Sequence, residues 1–461
     1  MPTERQLHLG LMFWATGTHA AGWRHPDARA DAAYDIDLIQ EVTAEAERAK
    51  FDFVFLGDRL ASDPSLQYSN PAQISRLEPF ATATAMAAAT TRIGVVVTAN
   101  PTYSDPYSIA RLLASLDHVS AGRAAWNLVT GADTAAAFNF GREEHWDTAK
   151  RYAWAQECLQ VVRDLWDSGA DAGSGPRPLG HRGTYFSVDG PLDVARPPQG
   201  QVVLFNAGTS DQSRELSARE ADIVFAGMQP TFALRQAYYA DIKERADRYD
   251  RADQVTILPG LTPIVAPTTE EAVELYDLLN SLLVLDPEEE PGELVRKGGI
   301  GEGHRRNLSS ASRVFGVELR GNDLAAEVPA ETLAAVSEEG ALRLAEITRL
   351  TRRTVDGPRR ITYGDLVHAA PSELSHTVVG NPEEVADMIQ EWFEGGAADG
   401  FNIYPAYVPG SVTAFTELVV PVLQRRGLYR KDYTGSTLRE HLGLPVPPRR
   451  PSPTSAVRST D

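Results

Sequence analysis

The chain has 461 residues, of which 43% are hydrophobic and 23% charged, the balance of a well-packed globular protein rather than a fibrous or disordered one. Its 44 basic and 63 acidic residues leave a net charge of −19, which argues against a nucleic-acid or anionic-membrane surface. One cysteine, Cys158, rules out an internal disulfide and a Cys-rich zinc site, and is read as a small core residue.

Short apolar runs alternate with helix-period segments along the chain. Leu7–Phe13 is a strand candidate, and Ile36–Lys50 follows with Leu38, Ile39, Val42, Ala46 and Ala49 on one helical face. The run 51–58 (FDFVFLGD) is a second strand, Pro79–Thr91 a helix, Ile93–Val97 a continuous apolar strand, Tyr107–His118 a helix and Arg123–Asn127 a strand. Lys150–Ser168 is a long helix. Val202–Phe205, Ala221–Phe225 and Thr256–Ile264 are strands, separated by helices over Gln212–Glu220 and Pro230–Tyr249. Helices over Thr268–Leu283, Glu383–Gly395 and Ser411–Arg425 and a strand over Gly400–Tyr404 complete the series. About eight βα repeats favour an α/β chain folded as one (β/α)8 TIM barrel over residues 1–444.

Three stretches break the rhythm. Asp167–Gln201 is Gly- and Pro-rich. Leu285–Pro371 is a long insertion, expected to cover the barrel mouth as a lid. Residues 445–461 have the composition of a disordered tail. No run is long and apolar enough to be a signal peptide or a membrane span, so a cytoplasmic protein is expected.

The polar residues that follow strands share a face in such a barrel, where active sites are built. Asp58 follows FVFLG, Thr98 follows IGVVV, Asn127 follows RAAW, Asn206, Thr209 and Ser210 follow VVLF, and Tyr404 follows FNI. Each has a structural alternative: Asp58 as a helix cap or partner of Arg59, Thr209 and Ser210 as an N-cap, Tyr152 as helix packing, His19 as a surface histidine. The set has no H-x-H, H-E-x-x-H or G-x-S-x-G pattern, and no G-x-G-x-x-G turn follows the first strand. A metal hydrolase, a serine hydrolase and a Rossmann dinucleotide enzyme are therefore disfavoured, and no metal is expected. Uncharged donors with one carboxylate suit a planar heterocycle rich in acceptors and imino groups. The turn 207–213 (AGTSDQS) suits a phosphate.

Seven ordered segments carry a family resemblance. They are 51–58 (FDFVFLGD), 77–131 with its DHVSAGRAAWNLVT run, 151–169 (RYAWAQECLQVVRDLWDSG), 183–200, 207–225 (AGTSDQSRELSAREADIVF), 379–403 and 419–444 with RRGLYRKDY and TLREHLGL. Together they resemble the FMN-dependent monooxygenases of the bacterial-luciferase superfamily, in the branch of nitrilotriacetate monooxygenase component A, dibenzothiophene-sulfone monooxygenase and the pristinamycin synthase large subunit. The resemblance implies a barrel with FMN at its C-terminal mouth. It also implies a two-component system, in which a separate NAD(P)H:flavin reductase supplies reduced FMN, O2 is co-substrate, and a small organic molecule is oxygenated. Carried over by position, Asp58, Thr98 and Asn127 would line the flavin ring. Tyr152 and Ser210 would hold the phosphate, with Thr209 nearby. Family members often carry a histidine four residues before this tyrosine; here that position is Thr148, and the nearest histidine is His145. The family's glutamine before AG-x-S is Asn206. His19, with Trp23 near it, is a candidate acid or base at the mouth. A homodimer or homotetramer is expected. The alternatives are an F420-dependent hydride-transfer enzyme of the same superfamily and a non-catalytic flavin-binding subunit.

Overall fold

A computed structural model describes residues 5–14, 16–29, 31–62, 75–131, 133–171, 173–225, 231–286, 306–371 and 375–450. The main sheet has ten strands: β1 (His8–Met12), β2 (Phe53–Leu56), β3 (Gly94–Ala99), β4 (Ala124–Leu128), β5 (Val203–Ala207), β6 (Ile223–Phe225), β7 (Thr256–Ile257), β8 (Gly260–Val265), β9 (His376–Gly380) and β10 (Gly400–Ile403). All neighbours pair in parallel. β7 and β8 form one stave across Leu258 and Pro259. The Leu258 N–H donates to Val224 O of β6, and the Asn402 N–H of β10 donates to Pro259 O. β10 pairs in turn with β1, Leu9 opposite Phe401, so the sheet closes on itself. β9 pairs along Leu261–Val265 of β8 as an additional strand, and the other eight staves make the barrel expected from the sequence.

Sequence chemistry explains where the helices start. Glu78, Asp105 and Asn381 cap helices that open with Pro79, Pro106 and Pro382, each cap oxygen accepting from a first-turn N–H. The helix expected over Ser411–Arg425 is interrupted by a π-turn at Phe415–Val419. Pro421 has no N–H to return to the Glu417 carbonyl, so the chain widens there. β9 was not anticipated, although the run TVVG is β-branched.

Two apolar layers follow from strand alternation. Leu9, Leu11, Val54, Val95, Trp126 and Phe401 face the helices. Phe53, Phe55, Val96, Ala125, Phe205 and Leu258 fill the barrel interior. Gly10 is required by this filling, since a Cβ there would stand 2.1 Å from the Phe53 ring. The closing segment plugs the barrel bottom with Leu438, Leu442 and Leu444. Cys158 is buried in the outer core, and burial pushes its thiol pKa up.

The stretch Asp167–Gln201 contains a small hairpin, His181–Arg182 with Ser187–Val188, whose turn is held by the Glu157 carboxylate accepting from the Thr184, Tyr185 and Phe186 N–H groups. The described part of the insertion, 306–371, has a core of its own around Phe315, Leu319, Leu333, Ile347 and Leu366, while 287–305 lies outside the described residues. Residues 445–450, expected to lack order, are instead tied down. Arg449 Nε donates to Asp167 O at 2.7 Å, and Arg196 donates to Pro447 O at 2.8 Å. The tail's arginines find carbonyls and Asp167, a pairing its composition did not reveal; 451–461 lies outside the described residues.

Candidate active site

The C-terminal ends of the staves converge on one mouth. Thr98 and Asn127 stand side by side in the β3–β4 register. Asn127 Nδ2 donates to Thr98 Oγ1 at 2.9 Å, and Thr98 Oγ1 donates to Leu56 O at 2.8 Å. That chain fixes the amide's orientation and leaves Asn127 Oδ1 buried with no hydrogen-bond partner among the described residues. A buried acceptor without a donor costs about 1–3 kcal/mol. Next to this pair, Trp14 lies against Gly57, and its Nε1 is also buried and unpartnered. Asp58 follows directly. Burial raises its carboxyl to about 6, only partly opposed by Arg76. Tyr404 closes the ring above β10, and burial alone drives its phenol pKa up.

A second cluster gathers at the end of β5. Gly208, at φ +140°, takes a conformation that side chains rarely adopt, and a Cβ there would strike Ser213 and stand 3.8 Å from the Tyr152 hydroxyl. The turn therefore brings Tyr152 against the Gly208–Ser210 backbone. Ser210 caps the helix Asp211–Glu220, accepting from Ser213 N at 3.2 Å. Thr209 and Ser210 are exposed at that N-terminus, where free N–H groups and the helix dipole favour an anion. Arg214 adds a cation that the sequence reading missed: its Nε donates to Thr209 O at 2.9 Å, with Asp241 as its partner at 3.1 Å. An arginine one turn inside a capped helix was the available signal.

Thr148 lies one turn before Tyr152 on the helix Thr148–Ser168, exposed, its hydroxyl accepting from Arg151 Nη2 at 3.0 Å. Its own O–H proton remains to donate, with the guanidinium charge behind it. His145 does not move into this position. Its Nδ1 meets the Tyr103 hydroxyl at 2.9 Å and its Nε2 the Gly131 carbonyl at 3.2 Å, while burial and Arg151 lower its pKa. Asn206 is not free for the ring either. Its Nδ2 donates to Leu128 O, and its Oδ1 accepts from Ser213 and Ser217, so it braces β5 to β4 and to the next helix.

His19 sits apart from both clusters, on the loop after β1. Its Nδ1 accepts from Ala21 N at 3.2 Å, which leaves Nε2 as the donor to Asn280 Oδ1 at 3.3 Å. Burial, with Arg306 and His368 nearby, lowers it to about 3. A neutral ring with both nitrogens engaged is a poor general acid or base. Trp23, on the same loop, stacks under Arg24.

The buried acceptor and donors of the first cluster match the alternating imino and carbonyl edge of an isoalloxazine, and the second offers an anion cradle. The Luciferase-like monooxygenase family model matches residues 12–399. The chain belongs to this family. The N-acetyl-S-(2-succino)cysteine monooxygenase of Bacillus subtilis (strain 168) is 37% identical over 466 residues, covering 97% of this chain and 98% of that protein. Nitrilotriacetate monooxygenase component A of Aminobacter aminovorans is 38% identical over 473 residues, with 97% and 98% covered. Among solved structures, a riboflavin lyase (RcaE) holding modified FMN and riboflavin superposes with TM-score 0.73 at 29% identity, covering 99% of this chain and all of that one. The resemblance read from the sequence is thereby borne out: this luciferase-like chain is an enzyme of a flavin-dependent oxidoreductase family.

Proposed function

We propose that the chain is the oxygenating component of a two-component monooxygenase that takes reduced FMN from a separate NAD(P)H-dependent reductase. The observation that carries the reading is the orphaned Asn127 Oδ1, held in place by Thr98 and buried at the mouth beside the unpartnered Trp14 indole. Polar atoms so placed are costly unless a bound group completes them. Asn127, Trp14 and Asp58 would hold the flavin ring. Tyr152, Thr209 and Ser210, with Thr148 and Arg214 behind them, would hold the phosphate. Reduced FMN, when bound, supplies the two electrons that activate O2. The chain's own residues set position and keep the mouth dry. Phe55, Phe205 and Phe225 floor the site with interlocked rings, 4.4 Å between the Phe55 and Phe225 centroids. The Asp58 carboxyl holds its proton to about 6.

Anaerobic titration with reduced FMN tests this reading. Saturable binding that weakens at least tenfold in Asn127→Ala supports it. No binding of reduced FMN, with saturable binding of the deazaflavin F420, would make the chain a hydride-transfer enzyme. Binding of reduced FMN with no substrate-dependent NADH consumption in any reductase-coupled assay would make it a flavin-binding subunit.

A further inference from the structure

We propose that the substrate carries a carboxylate, and that Arg306 receives it, with His368 beside it, where the loop after β1 meets the 306–371 insertion. The proposal rests on the flavin reading above for its location and on the following observations for its chemistry.

Arg306 is half-buried, its Nε is buried without a hydrogen-bond partner, and its side chain forms no ion pair with the described residues. The acids around it are already taken. Asp277 is held by Arg353 at 2.8 and 3.0 Å and by Arg359 at 2.8 Å. Asp365 pairs with Arg353 at 3.1 Å and accepts from Thr362 in a helix cap. Asp286 accepts the backbone N–H of Arg306 itself at 2.7 Å. Arg306 is thus a cation close to both His19 and His368, with no carboxylate bonded to its side chain among the described residues. The His368 ring makes no hydrogen bond with the described residues. Burial, Arg306 and Arg353 lower it to about 4, so it is a neutral donor–acceptor at physiological pH.

A guanidinium nitrogen buried without a partner is costly, and a carboxylate bound through the planar fork removes that cost. An apolar substrate would only deepen the desolvation. The loop opposite is built the same way. Thr16 Oγ1 and Trp23 Nε1 are buried without partners, as Trp14 Nε1 is. The loop is seated on the end of β10 by the Thr18 and His19 N–H groups, which donate to Pro405 O and Ala406 O.

Location supplies the second half. In a ring of eight staves β1 stands opposite β5. The anion cradle of Gly208–Ser210 is at the end of β5, so a flavin whose phosphate lies there extends its ring across the mouth toward β1. His19 lies on that far rim, hydrogen-bonded to Asn280, and Arg306 is close enough to His19 to lower its pKa. The flavin's phosphate is already provided for, and the charge at Arg306 is left for the other molecule in the site. This assigns a substrate class, small carboxylic acids, and a specificity-determining residue.

The test uses the flavin-loaded protein and reads the flavin difference spectrum during titration with acetate, succinate and tricarballylate, with dimethyl succinate as the uncharged control. Saturable perturbation by succinate or tricarballylate and none by the diester is expected. Arg306→Gln should weaken the carboxylate at least tenfold, Arg306→Lys by less, and His368→Gln about threefold, all with unchanged FMN affinity. The proposal is overturned if no carboxylate perturbs the flavin, if the diester does so equally, or if Arg306→Gln binds succinate as the parent does. Failure of FMN to bind overturns the flavin reading instead. The same titration is then read as a shift in Tm, and loss of the carboxylate-induced shift in Arg306→Gln still decides the role of Arg306.

Discussion

The two ends of the barrel handle buried polar groups in opposite ways. At the bottom, Asp52 is fully buried and fully answered. It accepts from Leu9 N at 2.9 Å, pairs with Arg430, and meets His8 Nδ1 at 3.2 Å. Burial alone would raise its pKa, but Arg430 and His8 outweigh that and hold it below the ordinary carboxylate range. The Tyr433 hydroxyl donates to Phe51 O at 2.6 Å, and that of Tyr429 to Lys50 O, so the run GLYRKDY is a clasp on β2. At the mouth, Asn127 Oδ1 and Trp14 Nε1 are left open, and the Asp58 carboxyl is raised rather than lowered. The bottom is not free of exceptions. His441 Nδ1 is unpartnered there, and Asp117 is raised to about 6 by burial despite its bonds to Gln199. The contrast still separates residues that hold the fold from residues that, on the proposed function, would bind a ligand. It predicts that substitutions at the two ends should fail in different assays.

The largest effect should come from the bottom. Asp52→Ala strands the Arg430 guanidinium, 8% exposed, without its carboxylate. Removing one partner of a buried pair costs about 3–5 kcal/mol. Urea denaturation should show that loss, while whatever protein remains folded should bind reduced FMN with the parent's affinity. Equal losses of stability and binding would erase the distinction between the ends.

The mouth should behave in reverse. Asn127→Ala removes one hydrogen bond to Thr98 and an acceptor with no internal partner, so its cost in stability should stay near about 1 kcal/mol. Flavin affinity should fall at least tenfold, about 1.4 kcal/mol or more. A denaturation midpoint shifted as far as that of Asp52→Ala would show that Asn127 is structural.

Asp58 sharpens the comparison through pH. Its folded carboxyl titrates at about 6 against an ordinary 3.8, so the native state holds a proton that the unfolded chain has released. Stability contributed by this group therefore falls as pH rises from about 4 to about 6 and is flat above. Asp58→Asn removes that slope. The group is not fully dry and has Arg76 near it, so the variant should gain about 1–2 kcal/mol over the parent at pH 8 and nothing near pH 4. Paired denaturation curves at the two pH values check the sign. A gain at pH 4 that vanishes at pH 8 would contradict it.

This division also explains what the sequence made legible. Strand positions were readable because interior and exterior layers are both apolar, giving runs such as IGVVV and FDFVFL, and helix starts because Asp, Glu or Asn precedes Pro at 78, 105 and 381. Asp58, Thr98 and Asn127 were readable because a parallel barrel sends every strand end to one face. Residues whose meaning depends on distant partners were not. Asn206 reads as a mouth residue until Ser213 and Ser217 are seen on its oxygen, and His19 as an acid or base until Ala21 and Asn280 are seen on its ring. Arg306 lies in an insertion without strand–helix rhythm, where only the structure shows that Asp277 is taken by Arg353 and Arg359.

The smallest effect should come from the anion cradle, and it separates two roles that coincide in Ser210. As an N-cap, its Oγ accepts from Ser213 N at 3.2 Å, and losing that bond costs about 1 kcal/mol. As a phosphate ligand, the same hydroxyl and the N–H groups behind it would favour FMN over riboflavin. Ser210→Ala keeps the backbone donors of the helix, and Arg214 still sits on Thr209 O, so discrimination should fall only about threefold to tenfold rather than vanish. Ser210→Gly restores much of the capping, because glycine is nearly as good an N-cap, without restoring the hydroxyl. The two variants should therefore differ in denaturation midpoint and agree in their FMN-to-riboflavin ratio. Recovery of the ratio in Ser210→Gly would mean that the cap, not the hydroxyl, shapes the cradle. An unchanged ratio in both would move the phosphate away from the end of β5 altogether.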